Sequence, residues 1–551
     1  MMIGFVSLIY IILFLMHYGY LIIANEPFKL LTGALAFVIL WVYYKKYYKE
    51  IKRCYKNRNI FRFFENHPDI FIISLILLIF WPYFRINVFF ISFYIIFKIL
   101  WGYFIKFKIV DFLNDYPYLF LIFTFIIVII IGSYLLTLPI MSKSGHINFI
   151  DALFTATSAT CVTGLIVVDT AIFFTFWGKL LIIILIQIGG LGFMTISTFL
   201  LLALGRKLSI KDIGLLSEIY NIENLRGIYF IFKKIILYTF FFESLGAIVL
   251  YIRSFSYSQI HDKIFFAIFH SVSAFCNAGF ALQSDSLVSF GTDVVVNITI
   301  MFLIITGGIG FTVIGNLFDF SLNKNRISEH SKLVLITTAI LIAIGSILFF
   351  FTEFDSSLKD LEFGDKIMAS IFQSVTLRTA GFNTVDFSLL SPLIKFIMLF
   401  FMFIGGGSSS TAGGIKITTV VVIVLYVFSI LRNRMNVTIF KKEINKAIID
   451  KSIAILVLSL FIIFISFSGL LFFEDISNLK FEDLLFETFS AFGTVGLSCG
   501  ITPYLNTIGK VIIILLMFIG RVGPLSFAFV IRKKNSREFN ISYPTANILI
   551  G

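Results

Sequence analysis

A short segment that ends in glycine and one apolar residue occurs four times in this chain, and its chemistry is that of a backbone ligand. The copies are Ser158–Leu165, Ser273–Phe280, Val375–Phe382 and Ser490–Leu497. Glycine reaches positive φ without a Cβ penalty, which lets backbone carbonyls turn toward one side. Carbonyl oxygens that replace a hydration shell are the ligands of ion-selective filters. The residues expected to form such a cation filter are Thr163, Gly164, Ala278, Gly279, Ala380, Gly381, Val495 and Gly496.

Each glycine segment follows a short amphipathic stretch and lies between two long apolar runs. The stretches fall at Ile150–Thr157, Lys263–Val272, Lys366–Ser374 and Glu482–Phe489. They are too short to cross a bilayer and must be re-entrant, and irregular backbone at membrane depth is tolerated where it lines a water-filled cavity. One such glycine is more often an ordinary turn. Four in matched positions predict a pseudo-fourfold ring around one pore, with the negative C-terminal ends of the short helices toward a cation.

The composition is that of an all-α polytopic membrane protein. The chain has 551 residues, is 59% hydrophobic and has a mean hydropathy of +0.99, which is typical of a chain with many apolar spans. The formal net charge of +13 comes from Lys and Arg in short loops between apolar runs. This is the positive-inside pattern rather than a nucleic-acid surface. It predicts that both termini lie in the cytoplasm and that the glycine segments enter the membrane from outside.

Twelve spans are expected, in five parts of the chain. About four extra spans occupy residues 1–111 and carry no assigned role. Four repeats of span, short helix, glycine segment and span follow at 112–228, 229–331, 332–450 and 451–551, the last with a short cytoplasmic C-terminus. A continuous span is expected near 293–318 and a broken one near 394–429. The outer connections are acidic at 353–365 and 474–483, which either concentrates cations at a pore mouth or marks ordinary polar loops.

The glycine segments and further motifs resemble the superfamily of potassium transporters that includes the Trk, Ktr and HKT proteins, and most of all the KtrB-type membrane subunits. The motifs are Gln187–Phe193, Gly307–Phe311, Leu377–Thr384, Gly405–Lys416 and Gly520–Leu525, and the resemblance covers about residues 112–551. It implies a homodimer with one pore in each protomer. It also implies gating by a separate cytosolic nucleotide-binding ring of the RCK type, similar to KtrA or TrkA. Glycine in all four loops implies K⁺ as the substrate.

A glycine- and serine-rich run interrupts the tenth predicted span. Such a run cannot remain a stable helix, and a broken helix in a membrane usually lines a transport path. By the resemblance it forms an intramembrane gate under the filter, while the alternative is a face of small residues for close helix packing. Arg521, in the last span, is interpreted as a barrier to cations, with an ion pair or a carbonyl clamp as alternatives. The gate residues are Gly405, Gly406, Gly407, Ser408, Ser409, Ser410, Thr411, Gly413, Gly414, Lys416 and Arg521.

Three other functions compete with a gated K⁺ uptake pore. A Na⁺-permeable or poorly selective cation transporter of the same superfamily stays open. A membrane enzyme would need convergent catalytic groups, and the spans hold few His, Asp or Glu, so no enzymatic activity is expected. An inverted-repeat transporter is disfavoured because all four repeats run in the same direction. No cofactor is expected in this chain. Na⁺ stimulation stays open, and nucleotide control would come from the separate subunit, since the chain has no Rossmann or Walker sequence.

Overall fold

The described part of the protein is helical, with one two-stranded hairpin. This computed structural model describes residues 117–192 and 225–524, apart from 259, 324–325, 388–389, 435 and 476–478. The predicted domain 1–111 and both chain termini lie outside the described residues. The hairpin pairs β1 (Thr438–Ile439) with β2 (Lys442–Glu443) in an antiparallel arrangement.

Fifteen helices lie in the described residues. In chain order they are α1 (Pro117–Leu136), α2 (Phe149–Thr160), α3 (Thr170–Phe173), α4 (Phe176–Gly190), α5 (Leu225–Ser254), α6 (Lys263–Phe275), α7 (Val294–Ile309), α8 (Phe311–Asn323), α9 (Glu329–Glu353), α10 (Phe363–Thr376), α11 (Pro392–Phe403), α12 (Ile417–Leu431), α13 (Lys446–Phe473), α14 (Phe481–Gly493) and α15 (Thr507–Val522). Single 3₁₀ turns lie at Pro139–Met141, Val288–Phe290 and Thr502–Tyr504.

Three of the described helices are long and apolar enough to cross a bilayer alone: Lys233–Ser254 within α5, α9 and α13. The pair α7 and α8 meets the same criterion together but bends by 100° between them. The continuous span expected near 293–318 is therefore wrong. The bend lies at Gly310, which has a φ of +99°, and the next amide, of Phe311, donates to the Ser409 carbonyl at 3.0 Å. The broken span expected near 394–429 is observed as α11 and α12 with an irregular loop between them.

Four short helices, α2, α6, α10 and α14, precede the glycine segments. They have 12, 13, 14 and 13 residues, so each is about 18–21 Å long at the usual rise per residue. This is less than the roughly 30 Å of a bilayer's hydrocarbon core. Each helix runs past its predicted C-terminal limit, and the added residues are buried. The short helices therefore extend into the glycine segments and end three to five residues before the glycines.

The helices pack in a closed cyclic order. We define unit 1 as α1–α4, unit 2 as α5–α8, unit 3 as α9–α11 and unit 4 as α13–α15. In each unit the helix before the short helix packs on it, and the helix after the glycine segment packs on the short helix of the next unit. These contacts join α4 to α6, α7 to α10, α11 to α14 and α15 to α2. The last contact brings unit 4 against unit 1 and closes the ring.

Two equivalent ion pairs support this order. Lys395 in the first turn of α11 binds Asp483 of α14 at 3.0 Å, and Lys510 in the first turn of α15 binds Asp151 of α2 at 2.7 Å. The four side chains are only 11–16% exposed. Removing one partner of a well-buried pair leaves an uncompensated charge and costs about 3–5 kcal/mol. The pairs therefore fix the register between units 3 and 4 and between units 4 and 1.

An acidic cap joins α5 to the start of α7. Asp293 caps α7 by accepting from the amides of Val295 and Val296 at 2.9 and 3.2 Å. Its second oxygen accepts from Arg253 Nε at 2.7 Å and from Tyr257 Oη at 2.5 Å. Burial raises the pKa of Asp293, but the hydrogen bonds from Tyr257 and Arg253 outweigh it and hold the pKa below its usual range. A charged cap therefore fixes the start of the second long helix of unit 2.

Glycines in the long helices allow direct contact with the ends of the short helices. A Cβ on Gly189 would collide with the Thr160 carbonyl, one on Gly307 with the Phe275 carbonyl, and one on Gly520 with the Phe492 carbonyl. Each of these carbonyls lies four residues before the glycine of its loop. Small residues at helix interfaces permit such close approach of two backbones. Units 1, 2 and 4 thus hold the base of their glycine loops by the same backbone contact.

We predict that Gly520→Ala destabilises the protein, because the new methyl group must displace the Phe492 carbonyl. Overpacking of this kind costs about 1–3 kcal/mol. The control is Gly364→Ala, since a Cβ at Gly364 meets nothing within 4 Å and alanine is the better helix former. Thermal unfolding of the purified variants in detergent measures the effect. A Gly520→Ala midpoint equal to that of Gly364→Ala would contradict the backbone contact.

Candidate functional site

The four glycine loops share one backbone conformation. In each loop the glycine has positive φ, and so does the residue two positions before it. The sequence predicted positive φ only for the glycines. Asn tolerates this conformation better than most residues, but for the β-branched Val and Thr it is a genuine outlier. The pairs of φ values are +57° and +94° at Val162 and Gly164, +60° and +69° at Asn277 and Gly279, +65° and +79° at Thr379 and Gly381, and +52° and +90° at Thr494 and Gly496.

Each loop is tied to its own short helix by a hydroxyl group. In units 1 and 4 the serine hydroxyl accepts a hydrogen bond from the amide of the loop glycine. In units 2 and 3 the hydroxyl donates to the carbonyl oxygen of the residue that follows the glycine. These bonds hold irregular backbone whose peptide groups would otherwise lack partners. They are Gly164 N to Ser158 Oγ at 3.1 Å, Gly496 N to Ser490 Oγ at 3.1 Å, Ser273 Oγ to Phe280 O at 2.8 Å and Thr376 Oγ1 to Phe382 O at 2.6 Å.

The four loops meet in a closed ring that leaves no room for side chains. A Cβ built on any of the glycines would meet the carbonyl oxygen of the residue before the next unit's glycine. This order runs from unit 1 through units 2 and 3 to unit 4 and back to unit 1, so all eight predicted filter residues come together. The contacts are Gly164 to Ala278 O at 2.5 Å, Gly279 to Ala380 O at 2.8 Å, Gly381 to Val495 O at 2.6 Å, and Gly496 to Thr163 O.

The ring carries additional buried oxygen atoms. Within the described part of the chain, the hydroxyls of Thr163, Thr379 and Thr494 are buried without a hydrogen-bond partner. A buried hydroxyl without a partner is unfavourable in an apolar environment. Backbone carbonyls and hydroxyls are also the oxygen ligands that suit hard cations. The ring is therefore chemically suited to a dehydrated cation rather than to an anion.

A cavity of about 420 Å³ opens on one side of the ring, and all four glycines line it. Asp169, Asp285 and Asp386 also line this cavity, and carboxylates at a narrow opening attract cations. The acidic connections expected at a pore mouth, 353–365 and 474–483, contribute no residue to the lining. Instead Glu353 accepts from the Ser391 amide at 3.2 Å and Asp483 pairs with Lys395. Glu353 and Asp483 therefore hold helices in place. The carboxylates at the opening are instead those of Asp169, Asp285 and Asp386.

On the other side of the ring lies the loop between α11 and α12, which we call the glycine–serine loop (residues 404–416). Its two ends pair with each other, since Gly405 N donates to Ile415 O at 2.8 Å. Its tip binds the bend between α7 and α8: Gly407 N donates to Gly308 O at 2.8 Å. Thr411 binds the end of α6, with its Oγ1 donating to Phe275 O at 3.2 Å. The loop therefore joins the short-helix ends from which the glycine loops start.

Close packing by small residues is observed in this loop, together with hydroxyl hydrogen bonds. A Cβ on Gly406 would meet Gly308 O at 2.6 Å, and a Cβ on Gly413 would collide with the Thr494 side chain. Ser410 Oγ donates to Gly407 O at 2.7 Å, within the loop. Ser408 Oγ pairs with Thr418 Oγ1 at 3.2 Å, and Ser409 has a φ of +58°. The glycines of this loop thus allow close packing, as in the alternative interpretation of the sequence. The hydroxyls stabilise the turn.

Three basic side chains bind the carbonyls of this region. Arg521 donates to Thr411 O in the glycine–serine loop and to Gly189 O at the end of α4, so the carbonyl clamp is the observed arrangement. Lys416 Nζ donates to Ala412 O at 2.7 Å. Arg378, in the third glycine loop, donates through Nη2 to Gly405 O at 3.3 Å. These bonds connect the loop to units 1, 3 and 4.

The fold and the site define a polytopic membrane protein with an oxygen-lined ring suited to cations. A family model described as TrkH, cation transport protein, matches residues 84–543. The chain therefore belongs to the TrkH family of cation transport proteins.

Two relatives and one solved structure illustrate the similarity. The Ktr system potassium uptake protein B of Bacillus subtilis is 44% identical over 450 residues, which cover 81% of this chain and 99% of that protein. The potassium/sodium uptake protein NtpJ of Enterococcus hirae is 38% identical over 434 residues, 78% of this chain and 95% of the relative. The crystal structure of the potassium transporter TrkH from Vibrio parahaemolyticus has the same fold, with a TM-score of 0.57 at 16% identity over 76% of this chain and 85% of that chain.

Gly496 and Gly500 allow two reasons for glycine in unit 4 to be tested separately: a positive φ and a lack of space for a side chain. Their φ values are +90° and +87°, but a Cβ on Gly500 meets nothing within 4 Å, whereas one on Gly496 collides with Thr163 O. We expect both alanine variants to lose about 1–2 kcal/mol from the left-handed conformation. Gly496→Ala should lose roughly 1–3 kcal/mol more from crowding. Thermal unfolding in detergent compares them, and equal midpoints would mean that the ring has room for a side chain.

Proposed function

We propose that this chain is the ion-conducting membrane subunit of a K⁺ uptake system of the Ktr/Trk type. Residues 112–551 would form four repeats around a pseudo-fourfold pore, and K⁺ would move inward through the ring of Gly164, Gly279, Gly381 and Gly496. The observation that carries this proposal is the closed contact of each glycine with the carbonyl of the next unit. Four rigid loops can offer carbonyl oxygens to one ion in place of its water shell.

Discrimination between K⁺ and Na⁺ is the finer part of the proposal. Glycine in all four loops and a relative named as a potassium uptake protein support K⁺. A second candidate is a Na⁺-permeable or poorly selective pathway, and the relative named as a potassium/sodium uptake protein favours it. The ring geometry is compatible with both ions, because backbone carbonyls bind either one. Ion competition therefore has to decide between them.

We further propose that the glycine–serine loop is the gate. It contacts short-helix ends that precede the glycines, whereas the cavity is lined by residues at and after the glycines. The loop thus lies on the side of the ring opposite the cavity, which would be the cytoplasmic side. Arg521 would add a positive charge below the ring and hold the loop closed through its two carbonyl bonds. Release of the loop would then open the path.

Regulation is proposed to come from other chains. The protein would act as a homodimer in the cell membrane of a bacterium, together with a cytosolic nucleotide-binding ring of the RCK type. The word "system" in the name of the Bacillus subtilis relative supports an assembly of several proteins. Broad apolar surfaces on the described helices, such as Val424, Phe428 and Leu431 of α12, suit lipid or a second copy of this chain. Na⁺ stimulation is kept as an open property of such an assembly.

The first test is K⁺ flux into liposomes that contain the purified chain, with Na⁺ as the competitor. We expect Na⁺ to compete weakly in the wild type and about tenfold more strongly in Gly164→Ser, since a left-handed serine in the ring costs about 1–2 kcal/mol. Gly145→Ser is the control, because Gly145 also has positive φ, of +78°, but meets nothing within 4 Å. Equal flux of both ions in the wild type would favour the Na⁺-permeable alternative. Absence of flux would require the cytosolic ring to be added.

Deleting Gly405–Gly414 tests the gate. Ile404 and Ile415 already pair as neighbours, so the deletion can be closed without moving α11 or α12 far. We expect higher K⁺ flux than in the wild type with the same preference over Na⁺, because the ring itself is unchanged. Arg521→Met should raise flux in the same direction by removing the clamp. A well-folded deletion variant with unchanged or lower flux would rule out the gate.

A further inference from the structure

Glu487 is a buried carboxyl group behind the fourth glycine loop, and neither the ring nor the gate uses it. It lies on α14, nine residues before Gly496, and it is fully buried. Its Oε1 accepts a hydrogen bond from the Thr502 hydroxyl. Carboxyl groups at membrane depth are costly and need a specific reason for being there. The partner suggests that reason, since Thr502 lies in the segment that follows the glycine.

The Thr502 side chain connects Glu487 to the wall of the cavity. Thr502 and Ser498 both line the cavity on the glycine side of the ring. Their hydroxyls pair at 3.0 Å, and Ser498 Oγ also accepts from the Gly500 amide at 3.0 Å. A chain of hydrogen bonds therefore runs from the short helix, through two hydroxyls, to the backbone just after Gly496. We call the segment Leu497–Thr502 the rim of unit 4.

Units 2 and 3 contain comparable bonds from the same part of the short helix. His270, nine residues before Gly279, is buried, and its Nδ1 lies 2.9 Å from Phe266 O. This bond requires a proton on Nδ1, so Nε2 is left to accept from the Leu282 amide at 3.3 Å. In unit 3, Gln373 lies eight residues before Gly381, one position later on its short helix, and its Nε2 donates to Thr384 Oγ1 at 3.4 Å. Leu282 and Thr384 each lie three residues after their glycine. Both bonds therefore reach the segment of units 2 and 3 that corresponds to the rim of unit 4.

Unit 1 differs at this position. Its equivalent residue, nine before Gly164, is Thr155, and the Thr155 hydroxyl donates to Asp151 O within α2. Three of the four units therefore use a polar side chain of the short helix to hold the segment after the glycine. Such a bond holds the segment after the glycine, and in unit 4 its hydroxyl partner Thr502 also lines the cavity. It fixes the backbone three to six residues after the glycine, whereas the hydroxyl ties described above act on the glycine itself or on the residue directly after it.

We propose that Glu487 is a positioning residue for ion selectivity, which acts by holding the rim of unit 4 through Thr502. This inference rests on the proposed function, because it assigns the residue a part in the selectivity of the same ring. Loss of the bond frees the rim and lets the Val495 and Gly496 backbone adapt to ions of other sizes. The carboxyl oxygen is needed as an acceptor, and its charge is not required.

Transport measurements in liposomes test the proposal with four variants. Thr502→Val and Glu487→Leu each remove the bond, and we expect Na⁺ to compete about three- to tenfold better against K⁺, the factor that one hydrogen bond contributes. Glu487→Gln keeps an accepting oxygen and should behave as the wild type. Thr488→Val is the matched control, since Thr488 is also buried but donates only to Leu484 O in its own helix. The competition ratio is independent of how much protein is active, so a purely structural role would leave it unchanged.

Hydrogen–deuterium exchange of the segment 497–504 provides a readout that does not depend on transport. We expect faster exchange in Thr502→Val and Glu487→Leu than in the wild type, Glu487→Gln or Thr488→Val. If the wild type itself does not prefer K⁺, the proposed function fails, while unchanged exchange in Thr502→Val overturns the rim bond separately. Wild-type competition in Thr502→Val, or equal loss in Glu487→Gln and Glu487→Leu, would also overturn the positioning role.

Discussion

The mutual contact of four glycines with the carbonyls of their neighbours is the constraint on which the rest of this structure depends. Carbonyl oxygens carry partial negative charge, so a ring of four repels itself unless the surrounding backbone holds each one in place. The structure provides that support in successive layers. The short helices end at the loops, hydroxyl ties such as Ser158 to Gly164 hold the turns, and the glycines of the long helices contact the last carbonyls of the short helices. The ion pairs between units then fix the order around the ring.

The glycine–serine loop breaks this symmetry, because only unit 3 carries it. The loop nevertheless binds to all four units: to unit 2 through Gly308 and Phe275, to unit 3 through Arg378, and to units 1 and 4 through Arg521. All of these bonds end on backbone carbonyls, and in the described residues neither Arg378 nor Arg521 forms an ion pair with a carboxylate. Two guanidinium charges neutralised only by carbonyl dipoles are sensitive to any rearrangement of the loop. An element of this kind is suited to have two arrangements of similar energy.

The glycine loops could be predicted from the sequence because their signal is local: a glycine at a fixed distance after an amphipathic stretch. The same argument gave the position of the short helices to within a few residues. The left-handed conformation of Val162 or Thr494 could not be predicted, because it is imposed by the ring and opposes the preference of β-branched residues. The bend at Gly310 was missed because the apolar run continues across it. Contacts between distant segments, such as that of Arg521 with Gly189, depend on the cyclic packing and leave no pattern in the sequence.

In unit 3 the glycine–serine loop stands where the other units have a backbone contact between a helix glycine and the end of the short helix. In units 1, 2 and 4, a glycine 24 to 28 residues after the loop glycine packs on the end of its own short helix and lies inside a helix that ends one or two residues later. Gly405 has the same spacing from Gly381, but α11 has already ended at Phe403. A Cβ on Gly405 would meet the Gly413 carbonyl of the returning chain instead. The loop thus replaces a helix–helix contact that the other units keep. Because those three contacts do not involve the loop's own backbone, they would continue to support the ring if the loop moved as proposed.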